Sequence, residues 1–285
     1  MSAPVTPNAD TCSMPKLITR SSLLSVLGIG CYVLSLLGFG WPLSNVLIIL
    51  AIFIAATVAS VAGFAFSVIC APLLLPIVAE PIAMVQILLV SSLAIQAMSL
   101  WRLRSQVEWR RTIPLVLGGA VLLPLSLSVL AVVPREAFGR IVGLILIVQG
   151  SWLALLPVRQ VPRPIRLIEA LVAGAGGGIT GGLLASPGLP VAAWCAWSGW
   201  PRQQQRGVFA PYILMMQVLT LLLLWALAPA KSPADSCGWD LLTYIPPALA
   251  GAVCGLQAFH RISDRHFGFV INGLLLAAGV ALLLR

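Results

Sequence analysis

This sequence has little charge. Asp, Glu, Lys and Arg make up 9% of 285 residues, against 60% hydrophobic ones. A soluble domain carries about a quarter charged residues, so no water-facing surface can be assembled from this chain. Histidine is scarcer still: His260 and His266 stand beside arginines in a polar turn and are too few for a metal centre. No Ser-His-Asp set, His-Glu-x-x-His or Walker pattern occurs. No cofactor and no metal are therefore expected, and both an enzyme and ATP-driven transport by this chain alone are disfavoured. The 8 acidic residues avoid the centres of the apolar runs. Glu80 and Glu169 come nearest, at segment ends, so coupling through an intramembrane carboxylate has no support.

What is present is apolar length. Segments able to cross a bilayer, or to enter and leave it, run at 22–40, 44–62, 65–79, 82–101, 112–132, 140–156, 167–184, 188–200, 207–228, 241–259 and 267–284. The first follows a polar leader without a small-residue cleavage motif and is expected to be a true span. With the N-terminus inside, Arg135, Arg140, Lys231 and Arg285 fall outside, leaving 13 of the 17 basic residues in the cytoplasm. That bias sets the orientation, with the C-terminus periplasmic or extracellular, in the plasma (inner) membrane. The net charge of +9 is thus a topology signal, and nucleic acid is excluded as a partner. Of the 6 cysteines, Cys31, Cys70, Cys195 and Cys254 sit within apolar segments and read as small hydrophobes. Cys12 and Cys237 fall on opposite faces and should not pair.

The chain also echoes itself. Ile113-Pro114 opens an apolar helix carrying Gly119-Ala120-Val121, as Ile245-Pro246 opens one carrying Gly251-Ala252-Val253. Phe138-Gly139 with Gly150 matches Phe267-Gly268 with Gly279, and Pro72 and Pro81 match Pro190 and Pro201. Each repeat then holds five segments, an odd number, so the second half enters from the opposite side and the repeats are inverted. The two short segments that open each repeat either cross fully or form a re-entrant hairpin; the parity survives both. The expected organisation is all-α and polytopic: a cytoplasmic leader (1–20), an extra N-terminal span (21–43), a first repeat (44–157), a linker (158–166) and a second repeat (167–285).

Two stretches are poor helix formers. One runs from Ala62 to Pro72, and the other from Gly174 through Gly176-Gly177-Gly178 and Gly181-Gly182 to Ser186-Pro187-Gly188-Leu189-Pro190. Glycine costs a helix interior about 1 kcal/mol and proline about three, so both are expected to break. A break at membrane depth frees N–H groups for an anion, whereas glycines of this kind also permit close helix packing. Polar residues inside the spans are few, among them Gln96, Gln149, Gln217 and Gln257. The candidate substrate-binding set is Gly63, Ser67, Gln86, Ser91, Ser92, Ser186, Pro187, Gly188 and Pro190, with interhelical hydrogen bonding the alternative for each polar member.

In these residues the chain resembles the TauE/SafE sulfite exporter family of membrane permeases. The resemblance rests on Gly63-Phe64-Ala65-Phe66 with Ala71-Pro72-Leu73, on Trp101-Arg102-Leu103-Arg104 leading to Trp109-Arg110-Arg111, and on the glycine-rich second half leading to Ser198-Gly199-Trp200-Pro201 and Arg206. It extends over the chain after about residue 44. It departs in having Phe64, Ala65 and Phe66 where many members carry consecutive glycines. The resemblance implies transport, often export, of sulfite, sulfonates or related sulfur oxyanions. The expected function is a secondary permease working by alternating access, whose partners are the lipid bilayer and a small anionic substrate. A membrane assembly factor or an intramembrane enzyme is the alternative, and homo-oligomer formation is left open.

Overall fold

The structure, a computed structural model, describes residues 42–62, 65–155, 166–227 and 240–258, together with 273, 276, 277 and 279–284. The expected span at 22–40 lies outside these residues, as does half of the one at 267–284. The protein is all-helical and polytopic, with no strand among the described residues. The helices are α1 (Leu43–Ala62), α2 (Phe66–Leu74), α3 (Pro81–Leu103), α4 (Trp109–Val132), α5 (Arg135–Leu155), α6 (Leu167–Leu184), α7 (Gly188–Trp197), α8 (Arg202–Leu227) and α9 (Ile245–Ala258). Of the described helices, α1, α3, α4, α6 and α8 are long and apolar enough to cross a membrane.

Proline and glycine punctuate the chain as their chemistry requires, with two exceptions. Pro81 occupies the first turn of α3, where its missing N–H costs nothing, and α8 begins directly after Pro201. However, α4 begins at Trp109, so Pro114 lies inside it and does not open it. Pro246, by contrast, is the second residue of α9. The stretch Gly174–Gly178 does not break either, because α6 runs on to Leu184. Its glycines are used for approach: a Cβ on Gly174 would strike the Leu115 carbonyl, one on Gly178 the Gly119 carbonyl, and one on Gly118 the Leu171 carbonyl. Packing against α4 at this range supplies the helix with contacts that its own propensity lacks.

The packing partnerships exchange between the two halves. The first helix of the second half, α6, packs along α4, the fourth of the first half; α9, the fourth of the second half, packs along α1, the first of the first half. Glycines mediate both seams, since Gly251 abuts the Phe53 carbonyl and Gly255 abuts Thr57 and Ser60. The third helices, α3 and α8, pack on each other at the centre.

The short helices α2 and α7 run toward opposite ends of α4. Arg135, which follows α4, donates from Nη2 to the carbonyl of Leu75 just past α2 at 2.9 Å. Trp200, just past α7, lies under the Arg111 guanidinium at 4.7 Å, and Arg111 belongs to the first turn of α4. α4 has 24 residues, about 36 Å at 1.5 Å per residue, so the two contacts stand a membrane thickness apart.

Candidate functional site

Both interruptions lie midway along the bundle. α6 closes on Ala185 in the left-handed conformation, φ 52° and ψ 27°, which costs a non-glycine residue about 1–3 kcal/mol. Local bonds hold it: the Ser186 amide donates to the Thr180 carbonyl at 3.3 Å, and Thr180 Oγ1 donates to the Ser186 carbonyl at 2.9 Å. The Ala185 carbonyl is thereby turned toward the other half of the molecule. Ser67, the second residue of α2, donates its hydroxyl to that carbonyl at 2.9 Å. The two breaks are therefore tip to tip.

A polar chain continues from there. Gln217 of α8 donates from Nε2 to the same carbonyl at 3.4 Å and to Ser92 Oγ of α3 at 2.7 Å. Ser92 is the middle residue of the 23-residue α3, which fixes the depth of the cluster. Around it, Ser91 Oγ, Ser186 Oγ, Gln96 Oε1 and Gln217 Oε1 are buried without a protein partner. Buried side-chain oxygens in that state are uncommon. Every member of the cluster is neutral. The ion pairs found among the described residues, Arg111–Glu108 and Arg166–Glu169, belong to helix starts instead.

A cavity of about 220 Å³ reaches this cluster. Ser92, Gln96 and Phe66, the first residue of α2, form its inner part; Ser60 and Ala252 flank it; Arg102 and Arg206 stand at its mouth. The volume corresponds to about seven waters at 30 Å³ each, enough for a small oxyanion. The mouth is basic; the wall is largely apolar, with the hydroxyls of Ser60, Ser92 and Ser99 and the Gln96 amide as its neutral polar groups and Phe66, at the start of α2, on its inner side. Such a cavity can draw in an anion through long-range attraction and solvate it with neutral donors.

Beside the mouth the two halves are fastened. Pro211 removes the amide that would serve the Gly207 carbonyl within α8, and the Glu108 amide takes its place at 3.2 Å. The Glu108 carboxylate accepts from Gln204 Nε2 at 3.0 Å and pairs with Arg111 Nε at 2.7 Å. Arg111 in turn covers Trp200. The arginines at 102, 104, 110, 111 and 206 are thus gathered at one end of the bundle, the end to which the cavity opens.

Of the residues expected from sequence, Ser67, Ser92 and Ser186 are brought to the central cluster. Ser91 is next to it on α3, fully buried. Pro187 packs against Gly181, its carbonyl toward Gly177, while Pro190 packs against Gly176, so both brace the α6–α7 turn. Gly188 opens α7. Gln86 lies six residues before Ser92 on α3 and does not line the cavity. Gly63 lies outside the described residues. Gln96, Gln217, Arg102 and Arg206 were absent from the expected set. The signal for the two glutamines was their presence at all inside long apolar helices; the arginines read only as topology markers.

Helices of this length and apolarity, two breaks meeting at mid-depth and a basic-mouthed cavity define a multi-pass membrane protein of transporter type. Residues 48–282 match the family model described as Sulfite exporter TauE/SafE. The chain belongs to that family, one of membrane transporters of sulfur anions. No curated protein and no solved structure was found to match it.

Proposed function

We propose that this protein is a secondary permease carrying a small anion, sulfite or an organosulfonate or related sulfur oxyanion, through the centre of the bundle by alternating access. The observation that carries the reading is the Ser67–Ala185 contact, joined through Gln217 to Ser92 on the wall of the basic-mouthed cavity. It joins two half-helices that run to opposite faces, and their first turns offer N–H groups to an anion without a buried cation. The candidate site comprises Ser67, Ser91, Ser92, Ser186 and Gly188, with Gln96 and Gln217 added. Pro187 and Pro190 support it, and Gln86 lies off the path of this conformation.

The repeats are inverted in this reading, as the exchanged packing of α1 with α9 and of α4 with α6 supports. Rocking of one half against the other would close the mouth at Arg102 and Arg206 and open a path on the opposite face. With the N-terminus cytoplasmic, the present cavity faces the cytoplasm, in the plasma (inner) membrane. No catalytic step is assigned to the protein. Flux of a panel of sulfur oxyanions and sulfonates into proteoliposomes tests the reading. Uptake above protein-free vesicles for at least one of them is expected, and uptake of none would refute it.

A further inference from the structure

Resting on the permease reading, we infer that the cavity selects singly charged oxyanions over doubly charged ones, with Gln96 as the selecting residue and Ser92 as a second neutral donor. Sulfite is then carried as hydrogen sulfite, sulfonates are accepted and sulfate is refused.

The inner part of the cavity contains only neutral groups. Gln96 is 3% exposed, lines the cavity, and its Oε1 has no hydrogen-bond partner. Its amide offers two donors and one acceptor, a set that matches an oxyanion bearing one O–H. Ser92 Oγ already accepts from Gln217 Nε2 at 2.7 Å, so its own hydrogen is available to the cavity it lines. Phe66 brings the start of α2 to the same wall, a partial positive charge of about half a unit. Among the described lining residues the cations are Arg102 and Arg206. Arg102 is exposed and follows Gln96 by six residues, about 9 Å of helix rise.

Charge separates the candidates. The Born cost of leaving water grows with the square of the charge, so a dianion pays about four times what a monoanion of the same size pays. A helix start, a hydroxyl and an amide can offset the smaller cost; the larger one requires a cation at contact distance, and the inner wall supplies none. Arginines at the mouth raise the local concentration of both forms without following them inward.

The test uses wild-type protein in proteoliposomes, with equal pH on both sides and protein-free vesicles subtracted. At fixed, subsaturating total sulfite, flux should fall about tenfold between about pH 6 and about pH 8, as the protonated fraction of an acid titrating near neutrality does. Methanesulfonate, a monoanion throughout, should be carried equally at both, and sulfate at neither. Gln96→Arg should raise sulfate flux relative to methanesulfonate. Ser92→Ala should slow methanesulfonate while leaving the sulfite pH profile unchanged. Sulfite flux that does not fall with pH, a parallel fall for methanesulfonate, or sulfate carried as well as methanesulfonate would overturn the inference and leave the permease reading standing. Flux of none of the three would overturn both.

Discussion

The hydroxyl of Ser67 meets the carbonyl of Ala185 at 2.9 Å, across 118 residues of chain and in the interior of the bundle. The donor sits at the start of one half-helix and the acceptor just before the start of the other, so each break holds the other in place. Replacing Ser67 by Ala removes the donor and leaves the Ala185 carbonyl to Gln217. A loss of about 1 kcal/mol in unfolding free energy is expected, measured by denaturant titration in detergent.

The α4–α6 seam should tolerate no side chain. Gly174→Leu would drive a branched chain into the Leu115 carbonyl and Gly178→Leu into that of Gly119, and both should abolish the monodisperse peak in detergent size exclusion. At Gly139 a Cβ would meet only Leu75 Cδ2 at 3.5 Å, an ordinary contact, so Gly139→Ala should behave as wild type. Gly279 is close-packed: a Cβ there would lie 2.7 Å from Ile147 Cγ1 and 2.8 Å from the Gly143 carbonyl. Gly279→Leu is expected to damage folding too.

Orientation can be read from two exposed positions at opposite ends of the bundle. A cysteine at Arg104 should react with an impermeant thiol reagent only from the cytoplasmic side, and one at Glu136 only from the other. The reverse pattern in intact cells would invert the topology inferred from the charge bias.

At the basic end, Glu108 binds α8 through both its amide and its carboxylate. Its pair with Arg111 is about a third exposed on each side, and pairs of that kind are worth about 0–1 kcal/mol. Glu108→Ala should therefore change the melting temperature little. It should change the transport rate more, because the contact spans the two halves that must move. A large drop in melting temperature would assign Glu108 a structural role instead.

Much of this was legible in the sequence, and for a physical reason. Spans follow from apolar length, and the helix start at Pro81 follows from a missing N–H, whereas α8 begins at Arg202, ahead of the apolar run read from 207. The break at Ser186–Pro190 was visible, and so was Ser67 as its counterpart. The unbroken course of α6 was not legible, because Gly174 and Gly178 are stabilised by a neighbour, α4, that local propensity does not register. Nor was the start of α4 at Trp109, since Pro114 is accommodated inside it. Gln217 could be recognised as an intramembrane polar residue, but its partners Ser92 and Ala185 are 125 and 32 residues away, and such pairings exist only in the folded chain.

In the permease reading an anion travels through the cavity beneath Arg102 and Arg206. Ser99 lines that cavity on the mouth side of Gln96. Flux of a transported sulfur anion should be measured for wild type and Ser99→Cys in proteoliposomes, before and after a bulky impermeant thiol reagent. The reagent should stop flux through Ser99→Cys and leave wild type, whose described cysteines are buried, unaffected. Full flux through a quantitatively labelled Ser99→Cys protein would contradict that reading.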